Sequence, residues 1–365
     1  MSISKLSTDE KILLALNKNT KPSTLAALSQ DLHSEIRSIV AKNPNTPIDT
    51  LTTLADDLNI QVVEQVAENK NTSVSTLETL NKRSERTIRI NVAANPVISG
   101  QLLKTLINDG DYAIRAQASN NPNLTAKQLE VLSEDQSRYV RCGVASNPSA
   151  SSRTLAKLAK DPDPDVAWEV AANLDTQASI LLKLTETTFT AIRCALAQNE
   201  NLPASIASIL AKDQSCAVRC SLAKNENTPS ILLQTLANDP DPSVRESVAM
   251  NTCTPTVALS FLAKNSQLDI LHSLIENPNT PIVTLESIYH ELVVTDRLDE
   301  YVTIRLLKRN IKLSATELSA LLALYGQQVA KAIFETNTTN QALEKQLESW
   351  GYVKPQLNTR TETHI

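Results

Sequence analysis

Residues 225–250 read NENTPSILLQTLANDPDPSVRESVAM, and residues 43–68 read NPNTPIDTLTTLADDLNIQVVEQVAE. Aligned on their first Asn, the two stretches follow one pattern of 26 residues. That Asn recurs at 17, 43, 69, 95, 121, 147, 173, 199, 225, 251 and 277. A unit copied at a fixed period of this size is the mark of a solenoid, in which each repeat packs on its neighbours and no single core forms. An insertion of seven residues carries the pattern to Asn310, which makes twelve repeats.

With the Asn as position zero, Leu stands at +8 (Leu25, Leu51, Leu77, Leu233, with Ala207 the exception) and again at +11. A β-branched residue stands at +19 (Ile36, Val62, Val140, Val218), Val or Leu follows at +23, and usually Ala at +24. Apolar residues three and four apart, in two groups separated by polar residues, predict two short amphipathic helices per unit. Asn-Pro pairs such as 43–44 and 95–96 end the preceding helix. In Asn-Thr-Pro (45–47, 227–229, 279–281) the Thr is expected to cap the first helix, with Pro at its first position. Asn59, Asp111, Ser137, Asp163, Ser215 and Asp241, all at +16, are expected to cap the second. Ser7 to Glu10 spells a capping box, so 1–16 is expected to be a half repeat closing the N-terminal end. The solenoid is expected over 17–335 with its irregularity near 289–303, a closing helix over 336–350 with Leu343 and Leu347, and a loose tail over 351–365.

These units resemble the leucine-rich repeat variant family, itself similar to HEAT-type helical repeats. The resemblance covers 17–303 well and 310–335 more weakly. It implies a right-handed superhelix of alternating α and 3₁₀ helices. The Leu pair three apart tolerates either helix type, whereas the +19/+23 spacing prefers α. The expected fold is therefore an all-α, right-handed α-solenoid of α/α or α/3₁₀ repeats with terminal caps. An iron–sulfur domain ahead of the repeats, present in one member of that family, has no counterpart, because the first Cys is Cys142.

Composition narrows the function. Five Gly in 365 residues leave no phosphate loop, and no GxxxxGK[ST], GxGxxG or HExxH occurs. A net charge of −5 argues against a nucleic-acid binder. No apolar run suits a signal peptide or a membrane span, so a cytoplasmic protein is expected. Cys142, Cys194 and Cys220 share +21, one repeat apart at the least, which is too far for a disulfide. Cys216 and Cys220 are one helical turn apart, but a metal would also need Cys253 and His272. Half-buried thiols are the simpler reading, and no cofactor or metal is expected.

Two charged rows run through the repeats. Arg stands at +20 in Arg37, Arg89, Arg115, Arg141, Arg193, Arg219 and Arg245, and Asp at +14 in Asp31, Asp57, Asp109, Asp135, Asp161, Asp213 and Asp239. Each Arg is expected to bond an Asp of its own or the adjacent repeat, or carbonyls of the turn. The alternative is a guanidinium row at about 8–10 Å spacing that meets the phosphates of a polyanion. Arg83, Arg86 and Arg89, with Lys82, form a local basic cluster, read as a solvated face or a contact point. Only 3% of residues are aromatic, yet Tyr112, Tyr139, Trp168 and Phe189 come from four consecutive units, close in sequence to Arg115, Arg141 and Arg193. Large aromatics and Arg are enriched at interface centres. The leading expectation is a monomeric, non-catalytic scaffold or adaptor that binds protein partners along the solenoid. A HEAT-like DNA binder using the Arg row and an accessory subunit of an enzyme complex are the alternatives.

Overall fold

The computed structural model describes residues 3–264, 267–309, 311–336, 347–348 and 351. Among them are 25 α-helices, one 3₁₀ turn at Ile3–Lys5 and no strand. The fold is an all-α repeat solenoid, and its chain gathers into two compact units, Met1–Leu184 and Thr185–Ile365.

Each regular repeat holds a shorter and a longer helix. In the repeat opening at Asn43 these are Ile48–Leu54 and Ile60–Glu68. At Asn225 they are Ser230–Leu236 and Pro242–Met250. Both are α-helical, so the 3₁₀ alternation that the resemblance implies is not found here. The shorter helix makes i→i+4 bonds along its length, as from Leu51 N–H to the Pro47 carbonyl at 3.0 Å and from Ala55 N–H to Leu51 at 2.9 Å. Bonding of the i→i+3 kind is confined to its ends, as at Leu232 N–H to Pro229 and at Asp56 N–H to Thr53.

The apolar positions read from the sequence are the core. Leu51, Val62, Val66 and Ala67 in the first unit, and Leu233, Val244, Val248 and Ala249 in the second, have no exposed surface. Each large side chain so buried is worth about 1.5–3 kcal/mol. Within each unit the longer helices pack directly on the longer helices of the next repeats, whereas successive shorter helices approach one another much less.

Buried polar groups lock the register. Asn69 ends the helix Ile60–Glu68, and its Nδ2 donates to the carbonyls of Ala41 and Asn43, one repeat back, at 2.6 and 3.0 Å. Its Oδ1 accepts from Asn71 N–H at 2.8 Å. Asn251 does the same toward Ala223, Asn225 and Cys253. A helix end leaves carbonyls without partners, and this one amide serves two of them across the repeat boundary. The Thr of Asn-Thr-Pro works differently from expectation. Thr46 and Thr228 donate their hydroxyls backwards, to Val40 and Leu222 in the preceding longer helix, at 2.5 and 2.6 Å. Pro47 and Pro229 hold the cap position. Lacking an N–H, Pro leaves no donor unsatisfied there, and the freed Thr closes the helix behind it.

The N-terminal capping box forms at Ser7 and Glu10, opening the helix Thr8–Leu16. The irregular repeat resolves as a lengthened shorter helix, Ile282–Val294, of 13 residues. Asn310 lies outside the described residues. The preceding Arg309 takes the Asn role, donating from Nη1 to the carbonyls of Ile275 and Asn277 at 2.8 and 2.7 Å. The preceding helix is thus in register with Arg309, while Leu318, Leu321 and Val329, at +8, +11 and +19 from Asn310, are buried as the pattern restarting there requires. The closing helix expected over 336–350 and the tail over 351–365 fall outside the described residues, apart from 336, 347–348 and 351. Among the described residues, no helix is long and apolar enough to cross a membrane.

Candidate functional site

The charged rows meet at the turn edge. Arg141 grips Asp161 of the next repeat with Nε and Nη2, at 2.7 and 3.0 Å, while Nη1 donates to the carbonyls of Asp135 and Gln136 in its own repeat. The Asp161 carboxylate also accepts the N–H of Asp163 at 2.9 Å. Arg37–Asp57, Arg115–Asp135, Arg193–Asp213 and Arg219–Asp239 are built alike. Arg89 bonds Asp109 through one nitrogen. Such two-pronged pairs are the strong class of charge-assisted bonds. Within one repeat, by contrast, Arg219 reaches only the main-chain carbonyl of Asp213, whose carboxylate belongs to Arg193. Each rung therefore runs from one repeat to the following one.

Lys11, 26 residues before Arg37, extends the ladder with a 2.8 Å bond to Asp31, a pair that only the register could have disclosed. Where Val63 replaces the Arg, the facing Asp is replaced too, by Arg83. Arg83 instead bonds the Ala55 carbonyl and Glu85. Arg86 pairs with Asp111. All three Arg of the basic cluster are thus held within the molecule, as are Arg115, Arg141 and Arg193. Arg193 is only 6% exposed.

The carboxylates record this bonding. Arg37 holds Asp57 below the usual carboxylate range, against the opposing effect of burial. Burial pushes Asp135 and Asp213 upward, yet the bonds from Arg115 and Arg193 and from the turn N–H groups outweigh it and leave both low.

The aromatic residues of the first unit sit elsewhere, on the row of longer helices. Tyr112 opens Tyr112–Ser119 and Tyr139 lies in Arg138–Ser146. Their rings stack with centroids 5.7 Å apart and planes 25° from parallel. Gly143 allows these helices to approach, since a Cβ there would fall 1.9 Å from Ser119 Oγ and 3.1 Å from the Ala116 carbonyl. The Arg138 guanidinium lies 4.9 Å from the centre of the Tyr139 ring, donates to the Tyr139 hydroxyl at 3.2 Å, and is 3.3 Å from both Asp163 and Asp165.

One repeat on, Trp168 stands 39% exposed on Pro164–Ala172. Beside it, Glu169 is half-buried, and no hydrogen bond to its carboxylate is found among the described residues. Burial, then the charge of Asp165, raises its pKa. Burial pushes the neighbouring Cys142 up to about 11, with Glu169, Asp165 and Asp163 adding to the effect. Phe189, half-exposed, belongs to the second unit, where it precedes Thr190–Gln198.

The five Cys are free, and no group of His, Cys, Asp and Glu among the described residues is placed to hold a metal. Sequence reading singled out Tyr112, Tyr139 and Trp168 because aromatics are scarce. It passed over Arg138 and Glu169, for which the register offered only a Pro at 164 where Arg138 stands one repeat earlier.

This geometry defines a helical-repeat protein with most of its ladder charges paired internally, Arg245 bonding only turn carbonyls among the described residues, and aromatic side chains exposed on the longer helices. No family model matches the chain, and no curated protein does. Among solved structures, 21 chains match. One is a leucine-rich repeat variant with a novel repetitive structural motif, 24% identical, covering 62% of this chain and 80% of its own, with a TM-score of 0.36. Another is YibA of Escherichia coli, 16% identical over 82% of this chain and 100% of its own, with a TM-score of 0.29. An engineered protein matches at 14% identity over 93% of both chains, with a TM-score of 0.24.

Proposed function

We propose that this chain is a non-catalytic scaffold that holds a partner protein against the longer-helix face of its first unit, with Tyr112, Tyr139 and Trp168 as principal contacts. The carrying observation is that these scarce aromatics are about half-exposed on one row, at 47%, 52% and 39%, while the regular apolar positions are buried. Rigid aromatics on a preorganised helical surface supply large contact area at small entropic cost. Arg115 and Arg141 contribute by fixing the helices that carry the rings. The ladder itself favours the protein-binding reading over a polyanion on the Arg row, because guanidiniums such as Arg115 and Arg141 would have to leave their carboxylates and turn carbonyls to meet a phosphate, and Arg245 would have to leave its turn carbonyls.

Capture of partners from native lysate after nuclease treatment, with wild type and Tyr139→Ala compared at two salt concentrations, tests this. Loss of capture by the variant with a shallow salt slope is expected. Capture that is unaffected by Tyr139→Ala and falls steeply with salt would favour a polyanion instead.

A further inference from the structure

Position +6 lies on the solvent side of every shorter helix and is exposed in each regular repeat from Ser23 to Val283. Through the first eight repeats it is polar, with Asp49, Lys127 and Arg153 charged, and in the next three it is Ile231, Val257 and Val283. These three are 64%, 71% and 76% exposed, more than any aromatic of the first unit. Phe261, half-exposed, stands one turn from Val257 on the same side of the helix Thr256–Leu262, and Ile209 is exposed at the same +10 position two repeats earlier.

Charge disappears from the same stretch. Every shorter helix from Ile48–Leu54 to Ala178–Leu184 carries an Asp, Glu, Lys or Arg, whereas Ala204–Leu210, Ser230–Leu236 and Thr256–Leu262 carry none. On the lengthened helix Ile282–Val294, Glu286 is occupied by the Lys312 N–H at 3.0 Å, and His290 and Glu291 lie in its far half. Single exposed apolar residues need no explanation, but a row aligned across three repeats, on helices that have shed their charges, marks a contact surface.

We propose that this row binds its counterpart on a second copy of the chain, the two copies running antiparallel about a two-fold axis near Val257. Molecules that each carry a net charge of −5 repel one another, so they meet most readily where neither presents charge. Three apolar residues spaced one repeat apart are also self-complementary. Turned about Val257, Ile231 of one copy lies over Val283 of the other, and Val257 meets itself. Three helices about 10 Å long and one about 20 Å long offer roughly 500 Å² per copy, at the low end for a specific interface, so a dissociation constant on the order of 10–100 µM is expected. A weak dimer then stands in place of the expected monomer, and it uses none of the residues assigned to partner capture.

Sedimentation velocity on the full chain from about 1 to 300 µM is expected to show the mass rising toward that of two chains. Val257→Asp and Val257→Lys should each raise the dissociation constant at least tenfold at unchanged Tm, while Gln101→Asp, in the same column of the first unit, should leave it as it was. Because Val257 meets itself across the axis, an equimolar mixture of the Asp and Lys variants should form dimers again. Wild type that stays monomeric over the whole range would overturn the proposal, and monomers that float with phosphatidylcholine vesicles would assign the row to a lipid surface instead. Dimers that persist in both Val257 variants would overturn it by placing the contact elsewhere. Loss in both variants without recovery on mixing would overturn the two-fold pairing at Val257.

Discussion

The turn edge and the longer-helix face of the first unit are both lined with groups that bind well, yet one has its bonds made and the other does not. Along the edge, Arg115 and Arg141 close on Asp135 and Asp161 of the following repeats and on carbonyls of their own. On the face, Tyr112, Tyr139 and Trp168 remain about half-exposed, and Glu169 lacks a hydrogen-bonding partner among the described residues. A charged row in a repeat protein therefore says little about ligands until its internal pairings are known. An exposed side chain that departs from the repeat consensus says more.

The largest effect should come from breaking the repeat frame that both regions share. Deleting 225–250 moves every rung and every buried amide by one whole unit, so a shorter solenoid should still melt cooperatively. Deleting 225–237 removes the shorter helix and sets Asn251 out of register with its acceptors, and should abolish cooperative melting by circular dichroism. Equal damage from the two deletions would contradict nearest-neighbour stacking.

Acid should act next, with the rungs of the edge as its main target. Asp57, Asp135 and Asp213 have folded-state pKa values below the ordinary carboxylate value. A depressed pKa gives stability that is present above the unfolded value, about 3.9, and is lost as pH falls toward the folded one. Denaturant midpoints should hold from neutral pH down to about 5 and then drop by an amount worth a few kcal/mol as protons displace Arg from the rungs. A midpoint that does not move between pH 5 and 3 would mean that the rungs contribute nothing.

A smaller effect isolates the face. Gly143→Ala forces Ser119 Oγ aside and presses on the Ala116 carbonyl, at a cost of about 1–3 kcal/mol. Adding Ser119→Ala should return part of that loss, because it removes the closer clash. Chemical denaturation of the single and double variants measures both, and a neutral Gly143→Ala would mean that the seam beneath the tyrosine stack is loose.

Much of this was legible in the sequence because a 26-residue period turns each position into a column. The core columns at +8, +11, +19, +23 and +24 follow from periodicity, and the Asn and Asp caps at +16 from capping chemistry, whereas Ser137 and Ser215 make no side-chain cap bond there. What escaped depended on distances between repeats. Sequence alone could not say that the Arg219 side chain reaches the carboxylate of Asp239 and not that of Asp213, since each Asp stands in a turn leading into a longer helix, one in its own repeat and one in the next. The Thr of Asn-Thr-Pro looks like a cap because it precedes Pro, but Pro47 can itself stand at the cap and free Thr46 for the helix behind. Arg309 was invisible because a guanidinium does there what a carboxamide does elsewhere.

The most direct test sets one residue from each region side by side on adjoining repeats of the first unit. Arg141→Ala and Trp168→Ala would be compared for Tm and for capture of the lysate partner per folded molecule. Arg141→Ala should lose about 2 kcal/mol of stability, with Asp161→Ala adding little more, and should keep its capture. Trp168→Ala should stay within about 0.5 kcal/mol of wild type and lose at least tenfold in capture. Capture lost through Arg141→Ala at unchanged stability, with Trp168→Ala binding as wild type, would contradict the account.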